Sequence, residues 1–513
     1  MTTILAALAF APTGANLVPA FEAGVLRDFA ATGASLAGQS RRTDFRPEQH
    51  GFRFVNTFKN DVIFDIRTGG LCGGMVYAAL DFFSARRPIP ATIDYRPATG
   101  TTLERYIFRR QLKTFENQLD KWAELNFNPG GARNSEFYRW GIQGFDGGRL
   151  QELRELIDAG RPAPLGLWHA DGHPDRPGDH QVLAVGYEMG RYNGRFGPNA
   201  GDLKIFVYDP NWPGHTMVLQ PDPESQTFFY SNLSNREAGR WLTYFVDKKH
   251  QPETPPAIAE TDLGPNDGRI RELILEIGTG GDDLRGGNDN VSVAIGLFGR
   301  ATHRVANING GARWIGDYTQ FVPIRLPAPV PPESITSITI STNFGGGIGG
   351  DNWNMDKLKV RARGGGIDRI LLERNASPIK RFTGQVHEHT ENLRWLLVRL
   401  ATGSAGLSGG SLNANAIVSY RGRAPDSFNN LNKGQPWRPN TTVRDALLLK
   451  QTVPVTLFSL ICTYGRNRLP AWNLNTLSLT VRENGRDNVI YNQTGNPLFA
   501  FSPDRTSFQV RIP

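Results

Sequence analysis

The chain has 513 residues, more than one hydrophobic core accommodates, and its length sets a prior of roughly three domains. Only two cysteines occur, Cys72 and Cys462, which excludes a disulfide scaffold. The formal charge is +8, from 57 Lys and Arg against 49 Asp and Glu, and it favours acidic partners or anionic surfaces in general. The basic residues form no long run, so nothing supports a nucleic-acid role.

The first residues, Met1 to Phe10, are apolar but lack the basic stretch that opens a standard signal peptide. No run approaches the roughly 20 apolar residues of a membrane span. The expectation is a soluble protein without a transmembrane segment, its location unassigned and secretion by another route left open.

Gly69-Gly70-Leu71-Cys72-Gly73-Gly74-Met75 then leads into Val76-Tyr77-Ala78-Ala79-Leu80-Asp81-Phe82-Phe83, which reads as a buried helix beginning at the cysteine. A thiol at a helix N-terminus meets unpaired backbone N–H groups and the positive end of the dipole, which favour the nucleophilic thiolate. By itself the segment fits a buried core cysteine equally well. A long helical run opens at Thr102-Leu103-Glu104 and stops at Asn128-Pro129-Gly130-Gly131, and a shorter helix spans about Arg149 to Ala159. Arg161 to Trp168 reads as a strand. His169-Ala170-Asp171-Gly172-His173-Pro174-Asp175 is a polar loop whose spacing fits no zinc pattern.

Asp179-His180-Gln181 opens the apolar strand Val182 to Tyr187, and Lys204-Ile205-Phe206-Val207-Tyr208 forms the next, ending at Asp209-Pro210-Asn211. If these two strands are antiparallel neighbours, His180 at the start of one meets Asp209 at the end of the other. Thiol catalysis needs this set: a thiolate, an imidazole that accepts and returns the proton, and a carboxylate that holds the imidazole tautomer.

On Gly-Leu-Cys72-Gly-Gly-Met, Asp-His180-Gln-Val-Leu-Ala-Val-Gly-Tyr and Ile-Phe-Val-Tyr-Asp209-Pro-Asn, the chain resembles the papain-like cysteine peptidases. The nearest likeness is to the bacterial branch that contains the double-glycine leader peptidases, and it covers roughly residues 50 to 250. The resemblance implies an α+β fold with Cys72 as nucleophile, His180 as general base and Asp209 as orienting acid, acting on a protein or peptide without a cofactor. Relatives carry a Gln a few residues before the Cys to complete the oxyanion hole, and Asp61 to Thr68 contains none. The Cys72 N–H supplies one donor, and Asn56 is the candidate for the second, with Asn60 the other amide nearby.

His250-Gln251-Pro252-Glu253-Thr254-Pro255-Pro256 reads as a linker. Beyond it an internal repeat appears: Leu284-Arg285-Gly286-Gly287 returns as Leu407-Ser408-Gly409-Gly410, and Trp314 as Trp437, both 123 residues on. Trp353-Asn354-Met355 returns as Trp472-Asn473-Leu474, 119 residues on. Each copy carries short strand-like runs such as Glu272 to Ile277, Val291 to Ile295 and Ile335 to Ile340, divided by Gly, Asp and Asn turns, the pattern of a β-sandwich.

The first copy resembles the PLAT-type sandwiches through Thr279-Gly280-Gly281-Asp282-Asp283-Leu284-Arg285-Gly286-Gly287 and Asp351-Asn352-Trp353-Asn354-Met355-Asp356, which implies docking on a lipid, glycan or protein surface. Asp282, Asp283, Asp351 and Asp356 either gather around a structural Ca2+ or cap turns, and capping is slightly favoured. The second copy has Ala405, Gly406, Pro470 and Asn475 at the matching places. The repeated tryptophans are expected in the cores.

The expected architecture is a multidomain chain: an α+β papain-like domain over 1–255, a PLAT-like sandwich over 267–386 and a second sandwich over 387–513. The expected function is that of a thiol-dependent hydrolase, a cysteine peptidase with a Cys-His-Asp triad. The sandwiches are expected to keep their own cores and to localise the enzyme without entering its chemistry. The alternatives are a papain-like scaffold that binds without catalysis, and amide or acyl transfer on cell-wall peptide.

Overall fold

The computed structural model describes residues 35–63, 66–169, 179–235, 239–345, 351–410, 412–463 and 472–513. The apolar start, most of the loop after His169, and Pro470 lie outside the described residues, as does the side chain of Asn60.

The N-terminal part is mixed. In chain order it runs β1 (Ser40–Arg42), α1 (Pro47–His50), β2 (Lys59–Ile63), β3 (Ile66–Gly69), α2 (Cys72–Ser84), α3 (Thr102–Asn126), α4 (Asn134–Ile142), α5 (Arg149–Asp158), β4 (Ala163–Trp168), β5 (His180–Glu188), β6 (Lys204–Tyr208), β7 (Thr216–Asp222), β8 (Thr227–Tyr230), β9 (Arg240–Trp241) and β10 (Thr243–Val246). The last seven strands form an antiparallel sheet in the order β10-β4-β5-β6-β7-β8-β9, with β1 also pairing β5. Helix α2 is apolar on nearly every face and is buried from Gly73 to Phe82, as an all-round apolar helix must be. It packs against α3, whose N-cap Thr101 accepts from the Glu104 N–H while Glu104 Oε2 accepts from Gly100 N–H at 2.8 Å. The sequence gives no sign of α4, because Asn128 to Gly131 reads only as a stop.

Two glycines allow α2 to sit so deep. A Cβ on Gly74 would lie 2.2 Å from the Ile107 carbonyl oxygen of α3, and one on Gly73 would lie 2.2 Å from Gln181 Oε1 of β5. Their role is close packing behind the thiol.

The described residues between 270 and 511 fold as two sets of eight antiparallel strands. The first is β11 (Ile270–Thr279), β12 (Val291–Leu297), β13 (His303–Val305), β14 (Tyr318–Val330), β15 (Ile335–Thr342), β16 (Trp353–Gly364), β17 (Ile367–Phe382) and β18 (Glu388–Asn392). Its sheets, β14-β11-β16-β17 and β13-β12-β15-β18, face one another across a common core, as in a sandwich. The second is β19 (Arg394–Thr402), β20 (Asn413–Tyr420), β21 (Arg423–Phe428), β22 (Thr442–Leu449), β23 (Val455–Thr463), β24 (Trp472–Glu483), β25 (Arg486–Phe501) and β26 (Ser507–Arg511). Its sheets, β22-β19-β24-β25 and β21-β20-β23-β26, repeat the same order.

The correspondence extends to irregularities. The register shift at Gly278/Thr279 recurs at Ala401/Thr402, and the isolated bridge Leu284–Trp314 recurs as Leu407–Trp437. Asn309 Oδ1 accepts from Val291 N–H at 3.0 Å, and Asn432 Oδ1 accepts from Ala414 N–H at 3.1 Å. Trp314, Trp353, Trp437 and Trp472 are all buried, with Trp353 stacked on Phe382 and Trp472 on Phe501.

The parts are joined more tightly than the sequence suggests. Ala98 belongs to the core of the first sandwich, and Ile274 of β11 belongs to the core around Phe54, Phe58 and α2. Trp395 of the second copy is buried in the first sandwich's core and donates to Ile335 O at 2.8 Å. Arg361 and Arg363 of β16 pair with Asp94 at 2.9 and 3.2 Å. The stretch read as a linker is irregular but pinned: Glu253 pairs with Arg109 and Arg110, and His250 Nε2 lies 3.1 Å from Asp81 Oδ1 on α2. The expectation that each sandwich keeps a core wholly its own is therefore revised, because apolar side chains cross both junctions.

Candidate functional site

Cys72 is the first residue of α2, partly exposed, with Leu71 as N-cap. Its N–H belongs to the first helical turn, where helix geometry offers no partner. Two residues on, Gly74 N–H donates to Gln111 Oε1 of α3 at 2.8 Å. Cys462 is buried in β23, where Ala414 is its partner across the sheet.

β5 and β6 are antiparallel neighbours, with Leu183 opposite Tyr208. This register brings the first residue of β5 to the residue after β6. His180 Nε2 lies 2.8 Å from Asp209 Oδ1, and Cys72 is close enough to act electrostatically on the imidazole. With Nε2 turned to the carboxylate, Nδ1 is the nitrogen left for the thiol. His180 and Asp209 thus form a hydrogen-bonded pair within electrostatic reach of Cys72.

Asp209 is buried, and both of its oxygens are engaged. Oδ1 also accepts from Asn211 N–H at 2.7 Å, and Oδ2 accepts from the Tyr230 hydroxyl at 2.7 Å. Burial works against the charge on both partners. For His180 it is outweighed by the Asp209 carboxylate and the Cys72 sulfur, which hold the imidazole well above its ordinary value. For Asp209 the imidazolium, the Tyr230 hydroxyl and the Asn211 N–H keep the carboxyl below its ordinary range. The Trp241 ring lies nearly parallel to the His180 ring, with centroids 6.3 Å apart.

Asn56 sits at the junction of these pieces. Its Oδ1 accepts from Leu71 N–H at 2.6 Å, one residue before the thiol, and its backbone N–H donates to Pro210 O at 3.1 Å, one residue after the carboxylate. Its Nδ2 lies over Gly70: a Cβ there would approach within 2.6 Å, and the φ of +81° suits glycine.

Behind the site lies a buried polar cluster that the sequence does not announce. Gln118 Nε2 donates to Asp247 Oδ2 at 2.9 Å and to Gln181 Oε1 at 3.3 Å, and the Tyr77 hydroxyl donates to Asp247. Of the residues missed, only Asn211 had a readable signal: Asp-Pro-Asn favours a turn in which the Asp side chain accepts from the N–H two residues on. Tyr230 and Trp241 come from later strands and carry no local mark.

The four aspartates of the first sandwich each have a partner of their own. Asp282 pairs with Arg381 at 2.9 Å and Asp283 with Arg313 at 2.5 Å. Asp351 accepts from the N–H groups of Arg285 and Asn352, and Asp356 accepts from Ser377 Oγ. Among the described residues no group of three His, Cys, Asp or Glu side chains comes together to hold a metal ion. Arginines thus hold Asp282 and Asp283, a serine hydroxyl holds Asp356, and Asp351 accepts backbone N–H groups as a turn cap does.

Among the described residues no helix is long and apolar enough to cross a membrane. Comparison with known protein families, with curated proteins and with solved structures finds no match to this chain.

Proposed function

We propose that this chain is a thiol-dependent hydrolase, a cysteine peptidase of papain-like design in which Cys72 is the nucleophile, His180 the acid–base and Asp209 the orienting carboxylate. The observation that carries the reading is the hydrogen-bonded pair of His180 and the buried, doubly held Asp209, with the helix-start Cys72 acting electrostatically on the imidazole. Structural cysteines have no need of an imidazole whose tautomer is fixed by a carboxylate.

In this reading the Cys72 sulfur attacks the carbonyl carbon of an amide and the π pair moves onto oxygen. That oxyanion meets the Cys72 N–H and, as second donor, Asn56 Nδ2 in place of the Gln that papain-like peptidases carry upstream. As the intermediate collapses the C–N bond breaks, and the leaving amine takes the proton from His180. Water then attacks the thioester carbon and gives a proton to His180; as the intermediate collapses the C–S bond breaks, the sulfur departs with the bonding pair and the proton stays on His180, which restores the starting pair. The sandwiches would carry the enzyme to a lipid, glycan or protein surface.

The test is labelling with a thiol-directed electrophile. Cys72 is expected to be modified in the folded protein near neutral pH while Cys462, buried in β23, is spared until unfolding. Cys72→Ala is expected to lose both the label and hydrolysis of peptidyl esters and amides. Equal labelling of the two thiols, or full turnover by Cys72→Ala, would remove the assignment.

A further inference from the structure

The segment that carries Asn56 is held from behind by the first sandwich. Arg96 is 6 % exposed and lies across the seam. Its Nη1 donates to Thr57 O, the carbonyl next to Asn56, and its Nη2 donates to Thr319 O on β14. The guanidinium lies 3.9 Å from the centroid of Tyr318 and 5.3 Å from that of Phe321, both on the same sandwich strand. Lys59 Nζ adds a bond to Asp317 O at 3.2 Å. On its other side the segment is fixed to the approach to the thiol, through Gly70 N–H to Phe58 O at 2.8 Å and Leu71 N–H to Asn56 Oδ1. A planar fork that grips two carbonyls at once is a task for Arg; an ammonium is a single point charge.

We infer that Arg96 is a positioning residue that holds Asn56 at the thiol, so that the first sandwich is a structural part of that site as well as a targeting module. The inference rests on the hydrolase reading above, in which Asn56 Nδ2 meets the oxyanion.

The experiment uses the full chain and two probes. Iodoacetamide reads the thiol alone. Acetyl-glycyl-glycinal reads the oxyanion site, because the Cys72 sulfur adds to its carbonyl carbon, the π pair moves to oxygen, and oxygen takes a proton from His180; nothing leaves. Asn56→Ala and Arg96→Lys are each expected to weaken aldehyde binding about tenfold or more, as loss of one oxyanion donor does, with alkylation within about twofold of wild type. Asn56→Ala combined with Arg96→Lys should be no weaker than Asn56→Ala alone, since the second change acts through the first residue. Multiplying effects, wild-type aldehyde binding by Arg96→Lys, or a parallel fall in alkylation would each overturn the inference. Should Arg96→Lys not fold, Tyr318→Leu, which loosens the guanidinium's cage, is to give the same split between the probes, and its absence would count equally against the proposal. A wild-type protein whose Cys72 alkylates but takes no aldehyde would instead refute the peptidase reading itself.

Discussion

At the scale of single residues, the two buried charges of the site set its pH behaviour. The folded protein raises His180 above its ordinary value of 6.5, so the stabilisation from its imidazolium is complete below about 6.5 and fades as pH climbs through the raised value. Asp209 is lowered from 3.8, so its contribution is complete above about 3.8 and fades as pH falls through the lowered value. Both terms are therefore full in mildly acidic solution, and the His180 imidazolium outlasts neutrality. NMR titration of the ring nitrogens should find His180 protonated at pH 7 in wild type. In Asp209→Asn the midpoint should fall toward or below 6.5, because burial remains and the opposing carboxylate is gone. A neutral His180 at pH 7 in wild type would contradict this account of the site's electrostatics.

At the scale of elements, the approach of α2 to α3 reverses an ordinary rule. Gly→Ala in a helix normally gains about 0.5–1 kcal/mol from propensity. At Gly74 the new methyl would sit 2.2 Å from a backbone oxygen of α3, and a backbone cannot rotate aside as a side-chain tip can. Gly74→Ala should destabilise the protein by about 1–3 kcal/mol, the usual cost of overpacking, read as a lower urea midpoint. An unchanged or higher midpoint would mean that the two helices have room to part. The elements themselves were largely legible: α2 begins at the cysteine, α3 and α5 end within a residue or two of their stop signals, and β5 and β6 carry His180 and Asp209 at the expected ends. The apolar runs and the Gly, Pro and Asn breaks are local signals, which is why they could be read. α4 was not, because Asn134 to Ile142 is too short to show a clear period next to a glycine stop.

At the scale of the molecule, the seams determine what can be separated. A chain ending at Pro255 would expose Phe54, Phe58 and Tyr95 where Ile274 and Phe321 now pack, and would leave Asp94 without Arg361 and Arg363. Such a chain is expected to unfold about 5–10 °C below the same part within the full protein, a shift that corresponds to a few kcal/mol for a domain of this size. Differential scanning calorimetry of both chains decides it; equal transition temperatures would show that the seam contributes little.

The sequence by itself determined the duplication, since an almost constant offset across Leu284, Trp314 and Trp353 needs no coordinates to be seen. It also determined the order Cys72, His180, Asp209, because each lies where a regular element starts or stops. Only the tertiary structure decided what surrounds them. Tyr230 on Asp209, Gln111 on the α2 N-terminus and Arg96 between Thr57 and Thr319 are contacts between residues far apart in the chain. The Asp282, Asp283, Asp351 and Asp356 carboxylates were drawn away by arginines, backbone N–H groups and a serine hydroxyl that no spacing rule connects to them. The physical reason is the same in each case: periodicity and turn chemistry act over a few residues, whereas desolvation forces every buried polar group to find its partner wherever the packing of sheets and helices happens to bring one.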